Sequence, residues 1–342
     1  MRTAHKIISV LFALLIFSLL LSACKRDPNA PKAPGDIKFW LYQLQDADIN
    51  AILQSGFDRV VMDYAKDGSD ETQYPAQQIT SLIKADILPI AYLSIGEAEN
   101  YRFYWNQAWV ATPNSNDFTA EAPLWLGRTN PDWQGNYKVR YWHPDWQNNY
   151  IRLYLDKIIA QGFRGVYLDI IDSFEYWADR ENYGVGKEVR RPDDPYDDEA
   201  EAAHKMIRFV RWIAEYCRAR SPFGAAFLVI PQNGERILQY DDEGEYLAAI
   251  SGIGIEDLWY NETNPIAAID VAERLAWIEK VQAAGKWVLS VDYVDNGDHQ
   301  DSSNLERISD YLSRCSRKGF FCYAARTNRD LDFINFIKGV QP

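Results

Sequence analysis

Residues 161–172 read QGFRGVYLDIID, and the order of residue types in this stretch decides the fold. Gly162 stands where a helix stops, because glycine takes the left-handed conformation that closes a helix. An apolar, β-branched and aromatic run follows, and Asp169 and Asp172 end it. Such a run suits a buried strand. The same glycine-then-strand order recurs at SGFD (55–58), AAGKW (283–287) and RKGF (317–320).

Working outward, eight such runs follow one another: FWLYQL (39–44), RVVMDY (59–64), LPIAYLSIG (88–96), GVYLDII (165–171), AAFLVIPQNG (225–234), ISGIGIED (250–257), KWVLSVDYV (286–294) and GFFCYAAR (319–326). Amphipathic stretches lie between most of them, at 46–55, 76–86, 147–161, 200–219, 267–284 and 303–317. Strand and helix alternating eight times predict a parallel α/β fold, the (β/α)8 TIM barrel. Two connections are unusually long, residues 97–146 after strand three and the charged segment 178–199 after strand four. Both leave the C-terminal end of a strand, the face that carries active sites in this architecture, so they are expected to form walls or lids.

The N-terminus reads as a targeting segment. Arg2 and Lys6 precede an apolar run from Ile7 to Leu21, so residues 1–23 are expected to be a signal peptide. LSAC (21–24) resembles the lipobox of bacterial lipoproteins, which implies a lipid on Cys24. Residues 24–36 are rich in proline and charge and read as a flexible tether, leaving 37–342 as one domain. The expected location is the cell envelope, anchored to a membrane through lipid. Lys25 after Cys24, where lipoprotein sorting would use Asp for the inner membrane, points to the outer one.

The chain carries a net charge of −13, and removing residues 1–23 leaves about −15. Nucleic acid is excluded as a partner by that balance, and a neutral or cationic ligand is accommodated by it. Besides Cys24 there are Cys217, Cys315 and Cys322, with no CxxC pair; an exported protein can form one disulfide, but Cys322 sits in an apolar run and is expected to be a buried thiol. His5, His143, His204 and His299 have no metal-ligand spacing, so neither metal nor cofactor is expected, and a monomer is. There are 12 tryptophans, many between Trp105 and Trp177 in loop-like sequence. Their rings suit either a large aromatic core or a cleft in which sugar C–H faces stack.

Carboxylates gather at the strand ends: Asp63 after strand two, Glu97 after three, Asp169 and Asp172 after four, Glu256 after six and Asp292 near the end of seven, with Gln232 and Asn233 after five. Side chains alternate faces along a strand. In GIGIED, Gly252, Gly254 and Glu256 share the face toward the barrel axis, and Ile253 and Ile255 meet the helices. By the same parity Asp63 goes with Val61, Asp169 with Tyr167 and Asp292 with Ser290, so Asp63, Asp169, Glu256 and Asp292 are expected to converge on the mouth. Like charges that close raise at least one pKa. A glycosidase needs one protonated and one ionised carboxyl. Asp172, near the start of the next segment, is expected to cap it or support Asp169. There is no GxSxG elbow, no GxGxxG after a strand and no P-loop.

The segments YQLQ (42–45), SGFDRVVMDYA (55–65), AYLSIGEAENYRFYW (91–105), WLGRTNPDWQGNYKVRYWHPDW (125–146), GFRGVYLDIIDSFEYW (162–177), PQNGE (231–235), GIGIEDLWY (252–260) and VDYV (291–294) together resemble glycoside hydrolase family 114 over residues 38–327. The resemblance implies a TIM barrel that cleaves α-1,4-linked polygalactosamine, with an aspartate after strand four and a glutamate after strand six as the catalytic pair, matched here by Asp169 and Glu256. The family's PDN-type segment is LDI (168–170) in this chain. On this reading Asp169 attacks or stabilises the anomeric carbon, and Glu256 protonates the leaving oxygen. Asp63, Tyr92, Glu97, Asp172, Asn233 and Asp292 hold sugar hydroxyls or amines, and Trp105, Trp142 and Trp177 offer stacking platforms. The competing reading is a non-catalytic polysaccharide-binding lipoprotein on the same barrel. A deacetylase would want a metal site that the sequence does not supply.

Overall fold

The computed structural model describes residues 37–342; the segments expected to be a signal peptide and a tether, and Cys24, lie outside the described residues. Eight parallel strands follow in chain order: β1 (Lys38–Phe39, resuming past Trp40 as Leu41–Gln43), β2 (Arg59–Met62), β3 (Leu88–Ser94), β4 (Gly165–Asp169), β5 (Leu228–Pro231), β6 (Gly252–Glu256), β7 (Trp287–Asp295) and β8 (Phe321–Arg326). Each of β1 to β4 pairs with the next, β6 pairs with β7 and β7 with β8, and β8 returns to pair with β1. Between β5 and β6 the link is a bridge from Gln232 to Gly254, flanked by Ser251 N donating to Val229 O at 2.7 Å. The ring predicted from sequence is therefore the one observed.

The helices among the described residues are α1 (Ile49–Gln54), α2 (Ala76–Lys84), α3 (Arg152–Gln161), α4 (Ser173–Ala178), α5 (Glu199–Arg220), α6 (Glu245–Ala249), α7 (Ala268–Ala283) and α8 (Ser302–Arg317). Their ends follow the sequence. Asp198 caps α5 through Glu201 N and Asp301 caps α8 through Ser303 N. Gly162 closes α3 at φ 91°. A π-helical stretch, Trp146–Ile151, leads into α3.

The barrel interior is packed with aromatic rings. Trp40 lies 5.2 Å from Tyr42, 6.0 Å from Tyr167 and 6.2 Å from Tyr323 between ring centroids. Gly254 makes room for this layer: a Cβ there would stand 1.8 Å from the Tyr167 hydroxyl. The parity read from GIGIED is thus correct for β6.

Residues 97–146 are not an open loop. They carry a three-stranded antiparallel sheet in the order Glu97–Glu99, Asn136–Val139, Leu126–Thr129. Beneath it Trp105, Trp109, Trp125 and Trp146 pack with Tyr104, Tyr137 and Tyr150 at centroid distances of 4.6–5.9 Å. Most of the tryptophan surplus is the core of this excursion, because a sheet standing off a barrel needs its own apolar filling. That corrects the stacking platforms expected at Trp105, Trp142 and Trp177. Trp177 is fully buried, Trp142 packs edge-on against it at 5.4 Å, and Trp105 packs against Tyr137.

Segment 178–199 is fastened to this excursion. Buried Arg140 donates to both carboxylate oxygens of Asp194, at 2.7 and 3.0 Å, and to Val189 O. Cys322 is not a thiol: it forms a disulfide with Cys315, joining the end of α8 to β8, and the buried free thiol is Cys217. The helix-to-strand turn brings the two Cα atoms to 6.1 Å, within bridging range.

Candidate active site

The C-terminal ends of the strands open onto a cleft of about 520 Å³. Asp169 from β4 and Glu256 from β6 both line it. The buried hydroxyl of Tyr92, on β3, donates to Asp169 Oδ2 at 2.6 Å, and Ile170 N donates to Asp169 Oδ1 at 2.8 Å. Ile170 holds that amide in place with φ 61°, a left-handed conformation that is an outlier for a β-branched residue. Gly96 faces it, and a Cβ on Gly96 would meet Ile170 O at 2.3 Å.

Glu256 is held from two strands, β7 and β5. Tyr293 on β7 donates to Glu256 Oε1, and Asn233 Nδ2, after β5, stands 3.4 Å from Oε2. Asn233 Oδ1 accepts from Glu256 N at 3.0 Å, which fixes the backbone as well. Gln232 also hydrogen-bonds Glu256, and its Oε1 accepts from Tyr42 at 2.9 Å. Burial first, and then the nearby Glu256 charge, push the Asp169 carboxyl up to about 8. Burial raises Glu256 as well. Both carboxyls are therefore harder to ionise than free ones, and Asp169 keeps its proton near neutrality.

Asp63, at the cleft wall, pairs with the buried Arg102 guanidinium at 2.7 Å, and Arg102 also holds Glu99 at 2.6 Å. Burial lifts Asp63 to about 6 against the pull of Arg102. Asp172 reaches the cleft with an exposed side chain and caps no helix amide, so the capping role expected of it is not seen. Asp67 and Asp330 add further acid, against Arg102 and Arg329 as the cleft's guanidiniums. A second cavity of about 540 Å³ shares Asp172, Asn233 and Glu256 with the first. Glu256 thus stands where two cavities meet.

Two expected ligands point elsewhere. Asp292 is fully buried on the outer side of β7 and accepts the backbone N–H groups of Leu258, Trp259 and Tyr260, each at 2.9 Å. The register explains it: Glu256 pairs with Val291, so Val291 and Tyr293 take the inner face and Asp292 the outer. Glu97 is fully buried too, accepting from Asn130 and Asn136 at 2.9 Å and from Lys138 at 2.5 Å. Tyr42, Tyr293, Arg102, Arg329 and Trp133 line the cleft and were not anticipated. Tyr293 shares a face with Val291, but nothing local in the sequence marks that face as the inner one.

The family model of glycoside-hydrolase family GH114 matches residues 21–337, so the chain belongs to that family and is a glycosidase. The uncharacterized protein MJ1477 of Methanocaldococcus jannaschii is 44% identical over 308 residues, covering 90% of this chain and 81% of that one. The fold is similar to that of Aspergillus fumigatus Ega3, solved in complex with galactosamine, with a TM-score of 0.58 and 15% identity over 90% of this chain and 97% of that one. It is similar in the same degree to the glycoside hydrolase domain of PelA from Pseudomonas aeruginosa, with a TM-score of 0.58 and 14% identity over 89% and 97%.

Proposed function

We propose that this GH114 enzyme is exported and cleaves within an aminosugar-containing, polygalactosamine-like polysaccharide, using Asp169 and Glu256 as its carboxyl pair. The observation that carries the reading is that pair, desolvated in one acidic cleft and oriented by Tyr92 and Tyr293. The galactosamine in the Ega3 crystal, on a fold of the same kind, favours the substrate class. Carboxyls in excess of guanidiniums suit a chain bearing ammonium groups. Cavities on both sides of Glu256 suit attack in the middle of a polymer. The disulfide Cys315–Cys322 fits an oxidising compartment, in keeping with the export signal and lipid-anchored Cys24 read from the sequence.

In this mechanism Asp169 attacks or stabilises the anomeric carbon as the glycosidic C–O bond breaks. Glu256 gives its proton to the leaving oxygen, then takes one from the incoming water. That division of roles needs Glu256 protonated and Asp169 ionised. In the open cleft Asp169 competes for the proton, since burial holds Asp169 at about 8. An ammonium group bound beside Asp169 lowers that pKa and leaves the proton to Glu256.

The test is product release by residues 37–342 from partly deacetylated galactosamine and glucosamine polymers, with Asp169→Asn and Glu256→Gln alongside. Oligosaccharides from wild type and none from either variant support the reading. A Glu256→Gln enzyme that still cleaves sugars with good leaving groups, where Asp169→Asn does not, supports the two roles. Binding without cleavage across the panel would move this chain to a polysaccharide-binding lipoprotein.

A further inference from the structure

Resting on the glycosidase reading, we infer that Trp133 is a sugar-stacking platform of the cleft and that buried Glu97 is the positioning residue that holds it there. Trp133 sits at the tip of the hairpin between Leu126–Thr129 and Asn136–Val139, and it lines the same cleft as Asp169 and Glu256. It is 57% exposed, unlike the tryptophans packed beneath the hairpin, and among the described residues it stacks on no other ring. A lone exposed apolar residue needs no explanation by itself. Here the surrounding structure supplies one.

The tip is tied down from below. Asn130 and Asn136 sit at the two feet of the turn, and both donate to Glu97 at 2.9 Å; Lys138 adds a third donor. Asn130 N also donates to Asn136 O, and Asn136 N to Trp133 O. Gly135 passes through φ 96° against Asn100, whose N donates to Gly135 O at 2.9 Å. One fully buried carboxylate therefore gathers both legs of a turn whose only large side chain is left open to the cleft. The backbone that carries the indole is held and the ring is left uncovered, so less order has to be created when a flat ligand binds. Its face suits the C–H face of an aminosugar and an adjoining ammonium, since tryptophan is the strongest cation–π partner.

The role predicts binding energy spent equally on substrate and transition state. Trp133→Ala in the full chain raises KM for a deacetylated galactosamine polymer roughly tenfold, with kcat little changed, and Trp133→Phe restores most of the loss. Glu97→Gln raises KM in the same way, and adding it to Trp133→Ala raises KM no further, because the carboxylate acts through the indole. The same variants on the cleavage-dead Glu256→Gln background are scored for polymer retention in affinity electrophoresis. Weaker retention of the Trp133→Ala form supports the platform even where no product forms. Polymer cleavage with an unchanged KM in Trp133→Ala overturns the inference and leaves the glycosidase reading standing. Equal retention with and without Trp133, or retention by neither, overturns it on the binding arm. Additive losses from Glu97→Gln and Trp133→Ala would remove Glu97 from the role while keeping Trp133.

Discussion

Replacing Asp292 separates a ligand from an anchor. The alternation of side chains placed this carboxylate in the mouth, whereas the structure buries it against the loop Leu258–Tyr260 that follows Glu256. Asp292 Oδ1 accepts one amide and Oδ2 accepts two. In Asp292→Asn the remaining carbonyl oxygen keeps two of these bonds, and the new amide faces Leu258 N–H, donor against donor. One orphaned buried amide costs about 1–3 kcal/mol. Asp292→Ala orphans three, and with partial relaxation the cost is about 3–6 kcal/mol. For a chain of this size that is a loss of roughly 6–20 °C in Tm. The assay is urea unfolding of wild type and both variants, with KM measured on whatever remains folded. The expected order of stability is wild type, then Asn, then Ala, with KM of the Asn variant near that of wild type. An Asn variant as stable as wild type but with a raised KM would refute the anchor and restore Asp292 to the substrate.

Other outcomes follow from the same geometry. The mechanism uses Asp169 ionised, and its proton is held up to about 8, so kcat/KM climbs as pH rises toward about 8; Tyr92→Phe removes a donor that favours the carboxylate and moves this limb upward. Because the folded pKa of Asp169 lies above its ordinary value of 3.8, wild type loses stability between about pH 4 and 8. Asp169→Asn does not titrate, so its Tm advantage grows over that window; a constant difference across pH would contradict the desolvation. Ile170→Asn relieves a left-handed β-branched residue and gains about 1 kcal/mol in urea unfolding; a lower midpoint would mean the Ile170 side chain packs better than its backbone is strained. Cys315→Ser opens a loop with a sequence separation of 7 and lowers stability by about 2–3 kcal/mol, and a reducing agent does the same to wild type and nothing to the variant.

The barrel was legible because its signals are local and repeated. Gly162, Gly285 and Gly319 close helices immediately before strands, and eight apolar runs alternating with amphipathic segments suit a closed parallel barrel. The excursion was not legible, because its first strand, Glu97–Glu99, pairs with a hairpin about 40 residues on and its alternation is broken by turns. Residues such as Glu97–Glu99 and Asn136–Val139 carry no hydrophobic run of their own. For the same reason Trp105 and Trp177 read as cleft aromatics when they are filling, and Trp133, the one that is exposed to the cleft, was passed over.

The catalytic candidates show where parity succeeds and where it fails. On β6 the glycines mark the inner face by themselves: Gly254 must give way to Tyr167, so Glu256, two residues on, is inward by geometry. On β7 no such marker exists. Ser290 and Asp292 are polar, and polarity near a strand end was read as facing the mouth. Both instead find partners on the outer side, where Tyr311 of α8 stands 3.3 Å from Ser290 Oγ and the loop amides meet Asp292. A buried polar residue obeys its hydrogen-bond partners, and those partners are set by elements more than 20 residues away in sequence for Ser290 and more than 30 for Asp292. The inward residue is Tyr293, which holds Glu256. Cross-strand register, Glu256 opposite Val291, would have corrected the assignment at once. The chemistry at the mouth therefore depends on a steric fact the sequence displays, a glycine opposite a tyrosine, and on a pairing it does not.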